Sequence, residues 1–193
     1  MQIEVESEIP NKIKQIKETF YANSSMASGL FKNTNKLNCA KMVSDNIDIH
    51  LLIQQTVYVI PSTNKVFFDY TLFKTYANES VYDTIIKYSI NLFQECIEKH
   101  NTFEMHMDLN TFSISAAQRY KPAILFFCNE CLTNQTFIMS RLTVFRVYNT
   151  PSMIDSISKM VKPFVSDQIR NKVELIDRIK SLEYKEALFH NTI

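Results

Sequence analysis

Glu104, His106 and Asp108 stand at every second position and interleave with Phe103, Met105, Met107 and Leu109. A period of two puts the three polar residues on one face of a strand. Carboxylates beside an imidazole can ligate a metal or shuttle protons. A solvated strand face, or the polar lining of a cavity, explains the same spacing more simply, so no metal is expected. Cys128-Asn-Glu-Cys131 has the CxxC spacing of redox and zinc sites. It follows Leu125, Phe126 and Phe127 and has no second CxxC partner, so it reads as two buried structural thiols. His50, His100, His106 and His190 fall in no nucleophile motif and read mostly as surface residues. None of these constellations makes a catalytic motif, although members of a nucleophilic site can stand far apart in sequence, and no cofactor is expected.

The elements that would carry these residues follow from apolar spacing. Ile9, Ile13, Ile16 and Phe20 predict an amphipathic helix over about 10–22, with Pro10 in its first turn. Residues 23–38 collect Asn, Ser, Thr and Lys around the only glycine, Gly29, and read as a loop or linker. Val57–Ile60 and Val66–Tyr70 flank a Pro61-Ser-Thr-Asn-Lys turn and predict a hairpin. A wide helical stripe from Ser80 to His100 should cover a sheet. A strand at 103–109 is followed by two short helices interrupted at Pro122, a strand at 142–148, a helix carrying Met153, Ile154, Ile157, Met160 and Val161, a short strand at 173–176 and a last helix over 177–188. Strands alternating with helices make the fold α/β. The expected organisation is an N-terminal helix and linker over 1–45 and an α/β domain over 46–193.

Composition excludes several function classes. With one glycine, neither a Rossmann fingerprint nor a Walker A loop exists, because each needs several residues without a Cβ against phosphate. A formal net charge of +1 supplies no field toward nucleic acid. The start Met1-Gln-Ile-Glu-Val-Glu-Ser-Glu is not a signal peptide, and the longest apolar run, Pro122 to Cys128, is far below the roughly 20 residues of a membrane span. A cytoplasmic protein with reduced cysteines is expected. The bias toward Asn, Ile, Lys, Phe and Tyr points to an AT-rich genome, such as that of a protist or a large DNA virus.

Two stretches carry a family likeness. Phe103 to Ser113 resembles the central strand of the Sec14-like, or CRAL-TRIO, domain, which ends in an aspartate and enters a helix. Val144 to Pro151, with Asn149-Thr-Pro151, then Lys162-Pro163-Phe164 and Lys172-Val173, is similar to that family's strand ending in Asn-x-Pro, its gate helix, its Lys-Pro-Phe and the lysine opening the next strand. The likeness covers roughly 57–176. It implies a mixed β-sheet flanked by helices, with a short N-terminal helical segment, flooring an apolar cavity closed by the helix after Asn-x-Pro.

It also implies one hydrophobic ligand or phospholipid, bound and transferred, with Met105, Met107, Met153, Ile157, Met160, Val161 and Lys172 as cavity, gate and headgroup residues. A Met-rich face suits such a site because it repacks around different apolar guests. In members that bind phosphatidylinositol the lysine matching Lys172 contacts the inositol phosphate, with a glutamate and a threonine whose positions here are Ser140 and Ile169. The glycine after the aspartate is Asn110 here. The locally basic Lys159, Lys162, Arg170 and Lys172 would suit a headgroup or transient contact with an anionic membrane surface. The alternative is a degenerate domain of the same fold, serving without ligand as a protein-interaction or structural scaffold, for instance in a viral particle.

Overall fold

The computed structural model describes residues 2–23 and 32–190. Five strands form one sheet in the order β1 (Val57–Val59), β2 (Lys65–Asp69), β3 (Phe103–Asp108), β4 (Leu142–Tyr148) and β5 (Val173–Leu175). β1 and β2 are an antiparallel hairpin, and the three remaining pairings are parallel. Parallel neighbours need crossovers, and right-handed crossovers that always step to the next strand all land on the same face. That face takes α4 (Tyr70–Tyr76), α5 (Tyr82–His100), α6 (Ile114–Arg119), α7 (Lys121–Phe127), a π-helical segment (Cys128–Asn134), α8 (Thr136–Ser140), α9 (Ile154–Val161) and α10 (Asp167–Arg170). The other face is covered by α11 (Arg178–His190).

Local chemistry explains the starts and stops. Asp69 ends β2 and caps α4, accepting from the backbone N–H of Thr71 at 2.6 Å. Ser113 caps α6 through the Ala116 N–H, and Pro122 sits in the first turn of α7, where its missing N–H breaks no intrahelical bond. Asn101, at φ 64°, closes α5 in the left-handed region that Asn tolerates.

Three helices depart from the sequence reading. α1 spans Gln2–Asn23 and holds Pro10 inside it, with Ile9 and Ile13 buried one turn apart. α2 spans Lys32–Asn46, where Asn-rich composition had indicated a loop; residues 24–31 of that stretch lie outside the described residues. Cys39, Ala40 and Val43 lie on one helical face of α2 and are buried in contact with the rest of the fold, so tertiary packing outweighs the weak propensity of Asn. α3 (Ile49–Thr56) precedes the hairpin, capped by Asp48. It is tied to α4 by the buried Tyr76 hydroxyl, which donates to Thr56 Oγ1 at 2.9 Å.

The polar face of β3 is not solvated. His106 is fully buried, and its register neighbours Phe67 and Arg146, with Tyr148 and α11, enclose it. The Tyr148 hydroxyl lies 2.7 Å from His106 Nδ1, and Nε2 lies 3.0 Å from Glu104 Oε2. A neutral ring with its proton on Nε2 satisfies both partners. Arg146 extends the row, bridging Glu174 at 2.7 Å and Glu104 at 3.5 Å. Burial lowers the His106 pKa from 6.5, against the opposing pull of Glu104. The hydrogen bond from His106 holds Glu104 below its ordinary 4.5.

This arrangement fixes a pH response. With its folded pKa below 6.5, His106 takes up its proton in the unfolded chain first. Its contribution to stability is therefore complete above pH 6.5 and is lost as pH falls through the folded value. The urea midpoint should fall as pH drops below 6.5, and His106→Gln should flatten that stretch while leaving the later, carboxylate-driven loss below pH 4.5. An unchanged slope in the variant would mean that the imidazole is not held neutral.

Candidate functional site

Residues that alternate with the His106 row face the helical layer. Val66, Met105 and Phe145 align across β2, β3 and β4, and Phe68, Met107 and Val147 form the next row. Val173 and Leu175 continue both rows onto β5. These side chains floor a cavity of about 750 Å³. Ile85, Ile86, Ser89 and Phe93 of α5 form one wall, and Ala123, Ile124 and Phe127 of α7 another. Ile154, Ile157 and Ser158 of α9 close the side over β4 and β5.

Charge is confined to the rim, where Asp155, Lys159, Lys162 and Arg170 are exposed. Arg170 is held by Asp167 at 2.5 Å and by the Val165 carbonyl at 3.1 Å. Among the described residues the ammonium groups of Lys159 and Lys162 have neither an ion pair nor a hydrogen-bonding partner. Inside, the Ser89 hydroxyl donates to the Ile85 carbonyl at 2.8 Å, and no histidine lines the walls.

The sequence-predicted residues divide. Met105, Met107 and Ile157 come together on the cavity. Met153 is half-buried at the entrance to α9 and is not among the lining residues. Met160 and Val161 belong to α9 by backbone, but their side chains lie outside the described residues. Lys172 is half-buried away from the lining, its Nζ donating to the Leu142 carbonyl across the β4–β5 pair. Ile169 is buried against the cavity, and Ser140 is exposed with its hydroxyl on the Phe137 carbonyl. The aromatic residues Tyr70, Phe112, Tyr82 and Tyr120 also line the cavity, and the spacing of their residues had not marked them. They sit in the crossovers after β2 and β3, Tyr70 opening α4, Tyr82 opening α5 and Tyr120 joining α6 to α7.

Asp108 and Asn149, the two polar marks of the strand ends, hydrogen-bond to each other at 2.6 Å. Asp108 Oδ2 also meets Lys185 of α11 at 2.7 Å, and the Asn149 N–H donates to Ser181 Oγ at 2.7 Å. Asn149 takes φ 53°, and the Thr150 N–H donates to the Ile176 carbonyl. The segment entering α9 is thus anchored to β3, β5 and α11. Asp108 is occupied by these partners and does not converge with Glu104 and His106 on a metal; no metal-binding group of three or more His, Cys, Asp or Glu occurs among the described residues.

The model of the CRAL/TRIO domain family matches residues 68–188, more than half of the chain. Among solved structures the chain is similar to the crystal structure of Sfh5, with a TM-score of 0.47 and 15% identity, over 76% of this chain and 56% of that one. The chain therefore spans little more than half the length of that structure. No curated protein matches the chain in sequence.

The thiols behave as packing groups. Cys39, Cys96, Cys128 and Cys131 are all buried and free. Burial pushes Cys128 up to about 11 and Cys131 up to about 12, which leaves almost no thiolate at neutral pH. Native protein should react slowly with an aromatic disulfide reagent, and all four thiols should react at once in denaturant. Rapid native labelling of Cys128 or Cys131 would show that the π-helical segment opens.

Proposed function

Because the chain belongs to the CRAL/TRIO family of lipid-binding domains, we propose that it binds, and passes between membranes, a single hydrophobic ligand or phospholipid, with α9 as the gate and no chemistry performed. The open cavity carries this reading. Its walls are apolar, so moving an apolar guest from water onto them is favourable. Its size falls within the usual range for ligand pockets, about 300–1,000 Å³.

The apolar tail of the guest would lie on Met105 and Met107 and under Ile157, with an anionic head at Lys159 and Lys162. The same two lysines would meet an anionic bilayer during loading. No helix among the described residues is long and apolar enough to cross a membrane. Four free cysteines suit a reducing, cytosol-like compartment. The scaffold reading keeps one observation in its favour: α11 leaves Ile179 at 90% and Leu182 at 63% exposure, an apolar strip that a protein partner would cover.

Native mass spectrometry with organic extraction of the purified protein, followed by uptake from liposomes, separates the two. Ser89→Phe, which places a ring into the cavity, should reduce lipid uptake about tenfold with little change in the urea midpoint. Retained uptake would put the ligand elsewhere, and a wild-type protein that neither carries nor takes up lipid would favour the scaffold. Replacing Lys159 and Lys162 together by Ala should weaken attachment to anionic vesicles by about 1 kcal/mol for each lysine. Equal attachment to anionic and neutral vesicles would remove them from the mouth.

A further inference from the structure

Three cations meet outside the cavity without a counter-ion. Lys17 of α1, Lys74 of α4 and Arg119 of α6 are each half-buried, and none forms an ion pair among the described residues. Lys74 Nζ lies 5.8 Å over the Tyr70 ring and the Arg119 guanidinium 5.2 Å over the Tyr120 ring. The two rings stand edge to face at 6.1 Å, and the Tyr120 hydroxyl donates to the Lys74 carbonyl at 3.2 Å, so the two cations are held on one aromatic pair. Both tyrosines line the cavity, whereas none of the three cations does.

The charges repel one another. Burial lowers Lys17 and Lys74 from the usual 10.5, and a neighbouring cation, Lys74 for Lys17 and Arg119 for Lys74, adds to the drop. Asp69, the carboxylate that acts on Lys74, already accepts from the Thr71 and Leu72 N–H groups and the Thr71 hydroxyl. Taking a cation out of water is costly unless an opposite charge replaces the lost hydration.

Two further observations fall on the same place. Arg119 Nε is the one buried side-chain nitrogen or oxygen without a partner among the described residues, and the rest of the guanidinium makes no hydrogen bond there either. Native structures seldom leave a buried donor unmet. Thr111 takes φ 66°, a strained conformation for a β-branched residue, and its hydroxyl accepts from Lys74 Nζ at 2.5 Å. That contact leaves the hydroxyl's own proton to donate.

We propose that Lys17, Lys74 and Arg119 form an anion site that takes a phosphate monoester, with the Thr111 hydroxyl as a further donor. Such a group carries about two negative charges at neutral pH and three acceptor oxygens, which suits two ammonium groups and a guanidinium fork. A soluble ester and the exposed phosphate of a phospholipid head share this chemistry. The site lies outside the cavity and stands whether or not a lipid fills it.

The test is calorimetric titration of the full chain with glycerol phosphate at low ionic strength. Wild-type protein should bind one equivalent, and Arg119→Gln and Lys17→Gln should each weaken binding about tenfold. Lys17 has no hydrogen-bonding partner among the described residues, so Lys17→Gln should keep at least the wild-type urea midpoint. The pair Lys159→Ala with Lys162→Ala should bind the ester as before. Vesicles of phosphatidylcholine with phosphatidic acid, offered to that pair, identify the source. Attachment that is lost on adding Arg119→Gln assigns a lipid head, and an ester that binds without vesicle attachment assigns a soluble compound. Failure of both probes to bind, or binding that Arg119→Gln and Lys17→Gln leave unchanged, would overturn the site without touching lipid binding in the cavity.

Discussion

Parallel strands that follow one another in sheet order force every right-handed crossover onto one side of the sheet. In this protein that constraint stacks α4 to α10 against β2 to β5 and leaves the reverse face to a single helix, α11. A layer assembled from so many short helices does not close on the sheet as one long helix would. α5 packs near β1, β2 and β3, whereas α9 stands over β4 and β5, and the space between them is the cavity. Site and topology have the same origin.

The two faces of β3 then carry different tasks. Met105 and Met107 turn toward the cavity, whose irregular wall a polarisable, unbranched side chain fits. Glu104, His106 and Asp108 turn toward α11, where polar groups must be partnered to be buried. Tyr148 and Glu104 satisfy the imidazole, Arg146 ties Glu104 to Glu174, and Asp108 joins Asn149 to Lys185. The last group has the widest reach. It fastens the strand end, the loop into α9 and the covering helix at one carboxylate, so the start of α9 is held while the rest of it lies over the cavity.

The parts of the site that were legible in the sequence are those set by short-range periodicity. Alternation along 103–109 separated the methionines from the acidic row, and the 3.6-residue stripe from Val81 onward indicated a helix against the sheet. The same alternation was silent on what covers the polar face, because α11 lies some 80 residues away in the chain. Lys172 stood in the right sequence context for a headgroup contact, yet its ammonium reaches the Leu142 carbonyl within the sheet, while Lys159 and Lys162 remain at the rim. Asn-rich composition concealed α2, whose helicity comes from burying Cys39, Ala40 and Val43 against the fold.

By itself the sequence determined the α/β class, the hairpin, the alternation of strands with helices, the absence of nucleotide-binding glycine loops and the resemblance to the CRAL-TRIO domain. Each of these is written within a few residues, by side-chain alternation, by turn chemistry or by a short motif. Only the tertiary structure decided which strand face is cavity and which is buried beneath α11, and that Asp108 and Asn149 hold one another. Those outcomes depend on residues brought together from distant parts of the chain. Burial and hydrogen-bond satisfaction are properties of that assembled neighbourhood, which no local spacing records.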